Sequence, residues 1–233
     1  VARAFASEGA KVVVSGRRDE RGRAVAEQIV EAGGEACFVR ADVAEPADCT
    51  RICREAEGAF GGLDILVNSV GIFPRAAFEE TTPEFWDRMF AVNVRGPFLC
   101  CQAAVPLMRK RGGGSIINIG STLPWVPGGK LFAYGCSKGA LYTMTRQLAG
   151  MLRGDRIRAN WITVGWVLTE MELEVWDQQG GREQLEERRK HLPMGEFNTL
   201  DDMAAACVYL ASDAAVRVTG TDLNVSAGMQ IRM

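Results

Sequence analysis

The sequence predicts an α/β fold, a doubly wound parallel sheet in a single domain spanning residues 1–233. Short β-branched runs such as Lys11–Ser15 (KVVVS) and Ser115–Ile119 (SIINI) recur along the chain, and such runs suit strands covered on both faces. Stretches of helical periodicity alternate with them, the mark of parallel crossover units. The 233 residues, 47% of them hydrophobic, can bury one large core without requiring a second domain.

The opening VARAFASEGA reads as the second half of a helix, with Val1, Ala4 and Phe5 on one face and Gly9 as its stop. A helix of this fold class follows a strand, so the chain is expected to be truncated at its N-terminus. Lys11–Ser15 is the first legible strand, Glu20–Ala32 a helix ending at Gly33-Gly34, and Ala36–Arg40 the second strand. Pro46–Phe60 is helical and Leu63–Asn68 is the third strand. One long helix covers Pro83–Lys110, with a kink expected near Gly96-Pro97. Then come the strand Ser115–Ile119, the helix Phe132–Leu152, the strand Arg158–Thr163, the helix Leu200–Ser212 and the strand Thr221–Val225.

Residues Met171–Met194 break the alternation. Met171, Leu173, Val175 and Trp176 precede Gly180-Gly181 and the charged stretch REQLEERRKHL. Two short amphipathic helices hinged at the glycines are expected. Ligands of such sheets bind beyond the C-terminal strand ends, so this segment is placed as a substrate lid. A peripheral hairpin without a gating role is the alternative.

Composition narrows the function. Lys and Arg number 27 against 29 Asp and Glu, and a net charge of -2 leaves no basic footprint for nucleic acid. No apolar run approaches the ~20 residues a membrane span needs. Seven cysteines and a lone histidine, His191, lack metal-ligand spacing, so no metal is expected, and reduced, mostly buried thiols in a cytoplasmic protein are.

Tyr134-Gly-Cys-Ser-Lys138 places a phenol and an ammonium four residues apart, on one helix face. A phenol titrates near pH ~10 and is a poor proton carrier at neutrality. A neighbouring ammonium stabilises the phenolate and makes tyrosine a usable acid/base group. The spacing alone is common. Ser121, however, follows the strand SIINI at a strand end, and Asn93 sits inside the long helix, where asparagine is a weak helix former.

Asn68–Gly71 (NSVG), Asn93–Gly96 (NVRG), Ser121, Tyr134–Lys138, Ile157–Asn160 (IRAN) and the ending LASDAAVRVTGTDLNVSAG stand in the order and spacing of the short-chain dehydrogenase/reductase family, which the whole chain resembles. The resemblance implies a Rossmann-like sheet and an NAD(P)-dependent oxidoreductase that interconverts a carbonyl compound and its alcohol. It casts Tyr134 as general acid/base and Lys138 as the residue that lowers the tyrosine pKa and holds the nicotinamide ribose. Ser121 orients the substrate oxygen, and Asn93 fixes a water beside the lysine. For the cofactor it implies Asp42 and Val43 at the adenine, Asn68, Ser69 and Gly71 along the adenosine ribose, and Val167 and Thr169 at the carboxamide and diphosphate. Gly16 stands where an NAD-selective acid would sit, followed by Arg17 and Arg18. Guanidinium groups pair with phosphate, which favours NADP over NAD.

The chain departs from the family pattern at several points. The Gly-rich turn that holds the diphosphate at a helix N-terminus, and the strand before it, are not in the sequence. Ser69-Val70 replaces Asn-Ala, Val164-Gly165 replaces Pro-Gly, and Val225–Gly228 reads VSAG where the family has Val-Asp-Gly-Gly. Pro124, Trp125, Pro127, Phe132, Trp166 and Trp176 suggest an aromatic pocket, suited to a hydrophobic cyclic carbonyl or, by stacking, to a sugar or polyol. A non-catalytic nucleotide-binding scaffold or regulator of the same fold is the alternative function. An epimerase or dehydratase would need a further substrate domain. A homotetramer is implied, through the long helices around Asn93 and Tyr134.

Overall fold

A computed structural model describes residues 1–179 and 181–231. The side chains of Met171, Val175 and Trp176, expected in the lid, lie outside the described residues, as does Gly180. The elements run α1 (Ala2–Ser7), β1 (Val12–Gly16), α2 (Asp19–Glu31), β2 (Ala36–Arg40), α3 (Pro46–Phe60) and β3 (Ile65–Asn68). They continue with α4 (Pro83–Phe90), a π-helical segment (Ala91–Arg95), α5 (Gly96–Arg111), β4 (Gly114–Ile119), α6 (Phe132–Leu152) and β5 (Ile157–Val164). The chain closes with α7 (Glu170–Gln179), α8 (Gly181–Lys190), α9 (Leu200–Ala211) and β6 (Asp222–Val225). The helices expected at Pro46–Phe60 and Phe132–Leu152 form with those bounds, and the strand ends move by one or two residues.

All strand pairs are parallel, in two ladders: β1 with β2, and β3-β4-β5-β6 in that order. Among the described residues no ladder joins β1 to β3. Their apolar faces still share one core, because Phe5 of α1 packs in a cluster that holds Val12 of β1, Ile65 and Val67 of β3, and Met203, Cys207 and Leu210 of α9. On the opposite sheet face, α3, α5 and α6 bury Cys53, Cys101, Ala104, Met108 and Leu152 against Ile116, Ile157 and Ala159. Parallel strands align their C-terminal ends along one edge, so the loops after β1, β3, β4 and β5 gather there.

The long helix differs from expectation in kind. The distortion is a π-helical turn at Ala91–Arg95, just before Gly96-Pro97. Pro97 lies in the first turn of α5, where its missing N–H is tolerated. The close approach that requires glycine is at Gly96, where a Cβ would stand 2.7 Å from the Val43 carbonyl oxygen. Gly120, between β4 and Ser121, lies under Trp161 so closely that a Cβ would fall 2.0 Å from the indole.

The departure at Ala227 has a physical cost. Its φ of 48° puts a Cβ-bearing residue in the left-handed region, where L side chains are strained. Ala227→Gly is expected to stabilise the fold by up to about 1 kcal/mol, since relieved strain outweighs the entropy of glycine. Urea unfolding checks this, and an unchanged or lowered midpoint would show that the turn is not strained.

Candidate active site

Three elements bring the four candidate residues together. Tyr134 and Lys138 lie on the first turns of α6, Ser121 follows β4 after Gly120, and Asn93 stands in the π segment. Lys138 is 3% exposed and donates from Nζ to the Ile119 carbonyl at the end of β4, at 2.8 Å. Its ammonium is 5.8 Å from the centroid of the Tyr134 ring. Ser121 favours the ionised form of the Tyr134 phenol, and its Oγ accepts from Leu123 N at 3.2 Å. Phe73 meets Tyr134 edge-on, with ring centroids 6.0 Å apart.

Asn93 is fully buried and works as a clamp. Its Oδ1 accepts from Ile72 N at 2.8 Å, while its Nδ2 donates to Ile72 O at 2.9 Å and to Ser137 Oγ at 3.0 Å. Ser137 in turn donates to the Tyr134 carbonyl at 2.8 Å. The amide thereby ties the loop after β3 to the first turn of α6. A π turn widens the helix by one residue and is frequent at functional sites, and here it turns the asparagine inward.

The electrostatics correct one expectation. The neighbouring ammonium does not bring the phenol below its usual range. Burial pushes Tyr134 up to about 12, with the Ser121 hydroxyl pulling the other way. Burial also brings Lys138 down to about 8. Both groups are held toward their neutral forms, because a buried charge loses its hydration.

Two contributors, Asn118 and Thr145, were not read from the sequence. Asn68 turns its side chain away from the loop and donates to Asn118 Oδ1 at 2.8 Å, and Asn118 donates to Thr145 Oγ1 at 2.8 Å. This buried chain fastens β3, β4 and α6 behind the site. Asn in a strand run, as in SIINI, was the available signal, since a polar residue at a buried strand position must find a partner. Phe73 was missed as well. Of the expected aromatic wall, Trp125 packs instead on Tyr142 and Trp161, and Phe132 on Phe78 and Trp86.

Two cavities adjoin the site. The larger, 830 Å³, is lined by Ser15–Arg18, Arg21 and Gly22 on one side and by Gly71–Arg75 and Glu172 on the other. The second, 360 Å³, is lined by Gly16, Arg17, Asp42, Val43 and Asn68–Ile72 among others. Gly71 leaves room beside the lysine, since a Cβ there would stand 3.6 Å from Lys138 Nζ. The Asp42 carboxylate accepts from Ala44 N at 2.9 Å and pairs with Arg88 at 3.4 Å. Val167 and Thr169 stand apart from both cavity walls. Val167 bridges to Asn198, and Thr169 Oγ1 accepts from Glu172 N at 3.2 Å in the first turn of α7. Among the described residues no group of His, Cys, Asp or Glu is placed to hold a metal ion, and no helix is long and apolar enough to cross a membrane.

The family model described as enoyl-(acyl carrier protein) reductase matches residues 1–230. The chain belongs to the short-chain dehydrogenase/reductase family. Among curated relatives of this family, the chain is 36% identical over 230 residues to a 2,5-dichloro-2,5-cyclohexadiene-1,4-diol dehydrogenase of Sphingobium indicum, covering 99% of this chain and 90% of that protein. It is 35% identical over 232 residues to the D-threitol dehydrogenase of Mycolicibacterium smegmatis, covering 100% of this chain and 88% of that protein. A solved structure of a gluconate 5-dehydrogenase from Burkholderia cenocepacia, in complex with NADP and tartrate, superposes with a TM-score of 0.90 at 30% identity, covering 100% of this chain and 90% of that one. As a short-chain dehydrogenase/reductase, the chain is an NAD(P)-dependent oxidoreductase of alcohols and carbonyl compounds.

The two shifted groups give stability a pH signature. Lys138 releases its proton near pH 8 when folded and near 10.5 when unfolded, so between these values the unfolded chain binds more protons and stability rises with pH. Tyr134 does the reverse, ionising near 10 unfolded and about 12 folded, so its contribution is lost above pH 10. The stability difference between Lys138→Met and the parent protein should therefore narrow from pH 8 to 10, by at most about 1.4 kcal/mol per pH unit. Urea titrations at stepped pH measure it, and a difference constant with pH would mean that the lysine is not desolvated.

Proposed function

We propose that this short-chain dehydrogenase/reductase uses Tyr134 as the general acid/base, with Ser121, Lys138 and Asn93 completing the catalytic set, and that it prefers NADP. The observation that carries the reading is the convergence of the half-buried Tyr134, the Ser121 hydroxyl that favours its ionised form, and the Lys138 ammonium 5.8 Å from its ring. The residues present fit a dinucleotide. The cavities run from the arginines after β1, past Asp42 and Val43, to Gly71 beside Lys138. Arg17 would hold the ribose phosphate, Asp42 and Val43 the adenine, Asn68, Ser69 and Gly71 the adenosine ribose, and Lys138 the nicotinamide ribose. When bound, the nicotinamide supplies the hydride chemistry.

The chain's own residues manage the oxygen and its proton. Ser121 Oγ orients the substrate oxygen against Tyr134 Oη, and Tyr134 gives or takes the proton there. The phenol's high pKa in this structure keeps it protonated but makes it a weak acid, and the Lys138 charge would be the lever that eases its ionisation. Asn93 acts by holding the Ile72 loop and α6 in register around the lysine. The lid formed by α7 and α8 would cover the substrate. Relatives named for a cyclic diol and for threitol support a substrate with more than one hydroxyl.

Arg17, Arg18 and Arg21, which share one cavity wall, support NADP. Tyr134→Phe should lower kcat for carbonyl reduction by about a hundredfold or more, and Arg17→Gln should raise KM for NADPH but not for NADH. Steady-state kinetics with both cofactors reads each, and full turnover by the phenylalanine variant would remove Tyr134 from its role.

The tetramer is proposed on exposed apolar side chains of the long helices, Phe98 of α5 and Phe132 and Met151 of α6. Light scattering should give four chains per particle, and a monomeric mass would refute it. Seven free cysteines support residence in the reducing cytoplasm.

A further inference from the structure

We infer that Trp161 is a positioning residue that sets Ser121 relative to Tyr134, its one indole packing on both flanks of the serine and on the helix that carries the tyrosine. The inference rests on the catalytic reading above, in which Ser121 orients the substrate oxygen.

The Ser121 hydroxyl is placed by the backbone around it. Its Oγ accepts from Leu123 N at 3.2 Å, a contact within its own loop. The residue before it is glycine, which has no side chain to restrict the chain. Trp161 supplies the missing wall. It is fully buried on β5, opposite Asn118 of β4. Its indole fills the place of the absent side chain, since a Cβ on Gly120 would fall 2.0 Å from the ring carbon Cε2. The backbone of β5 grips the same stretch: Gly120 N donates to Ile162 O at 2.8 Å, and Thr122 N to Val164 O at 3.2 Å.

The other flank of the serine meets the same ring. Trp125 N and Val126 N each donate to Thr122 O at 3.0 Å, which folds the chain after Ser121 into a turn. The Trp125 ring then lies edge-on to Trp161, with centroids 6.3 Å apart. Tyr142 of α6 meets both rings edge-on, at 5.1 Å from Trp125 and 5.5 Å from Trp161. The indole is itself tied down, because its Nε1 donates to Thr163 Oγ1 at 2.9 Å. Tyr134 and Lys138 ride on α6, so Trp161 is the piece wedged between the serine's loop and the tyrosine's helix. A close-packed wedge transmits any change in its size to both neighbours, and a misplacement of about 1 Å at a reacting group can cost about a hundredfold in rate.

The test follows oxidation of erythritol and of cyclohexanediol with NADP. It compares the parent protein with Gly120→Ala, Trp161→Leu, the double variant carrying both, and Thr163→Val, each with and without Ser121→Ala. Gly120→Ala drives a methyl group into the indole and should lower kcat by about tenfold or more, with KM changed much less. Trp161→Leu should also lower kcat, and the double variant should exceed both, because the new methyl group takes up space the indole has left. Thr163→Val, which unties the indole N–H without emptying the core, should show a smaller loss. In the Ser121→Ala background none of these changes should lower kcat further, since the group they position is gone.

Losses that multiply in the double variant, or that persist undiminished without the Ser121 hydroxyl, would make Trp161 an ordinary core residue and overturn the inference. Full kcat in both Gly120→Ala and Thr163→Val would overturn it too, whether or not Trp161→Leu folds. In those cases the catalytic reading survives as long as Ser121→Ala and Tyr134→Phe are impaired. If Ser121→Ala keeps full turnover, or the parent protein oxidises neither probe, the catalytic reading fails and takes the inference with it.

Discussion

A lysine ammonium taken out of water is the constraint around which the site is arranged. Lys138 gives up its hydration for one carbonyl, that of Ile119, at 2.8 Å, and burial brings its pKa down to about 8. Such a charge is tolerated only if its surroundings cannot collapse onto it or drift away. The strand β4 supplies the carbonyl, and β3 and α6 are locked to it by the Asn68–Asn118–Thr145 chain. The loop after β3 is pinned by Asn93, which keeps Gly71 against the lysine with no side chain between. The sheet, the π segment and the first turn of α6 thus share one task, to keep a costly cation beside a phenol.

The phenol's high pKa belongs to the same economy. Tyr134 and Lys138 are both pushed toward neutrality by burial, so a proton transfer at the phenol and the charge on the lysine are coupled through a medium of low dielectric. The Ser121 hydroxyl is the polar contact that already favours the phenolate. Small changes in what surrounds this pair have large effects on its protonation, which is the useful property of an acid/base group.

Much of this was legible in the sequence, for identifiable reasons. The strands KVVVS and SIINI declare themselves because strands buried on both faces admit few residue types, and Pro46 and Gly61 punctuate α3 by fixed backbone chemistry. The proposed catalytic set was readable because four residue types recur at set intervals. Other features depend on contacts between distant segments. The split between the two ladders, the packing of Phe73 on Tyr134, and the turning of Trp125 toward Tyr142 and Trp161 are of this kind. A helix kink was expected at Gly96-Pro97 from local rules, but the π turn before it is set by what Asn93 binds across the fold.

That π turn has a consequence for how the chain can change in length. A π segment carries one residue more than an α-helix needs to span the same rise. The stretch Ala91–Arg95 could therefore shed a single residue while α4 and α5 kept their positions and their buried faces. Elsewhere in these helices a deletion would rotate everything beyond it by about 100° and turn the apolar face out of the core. Such a shortened protein would still fold, but the amide now aimed at Ile72 and Ser137 would be redirected. The segment separates the inheritance of the fold from the inheritance of the activity, and a one-residue deletion there is a route from enzyme to folded, inactive homologue.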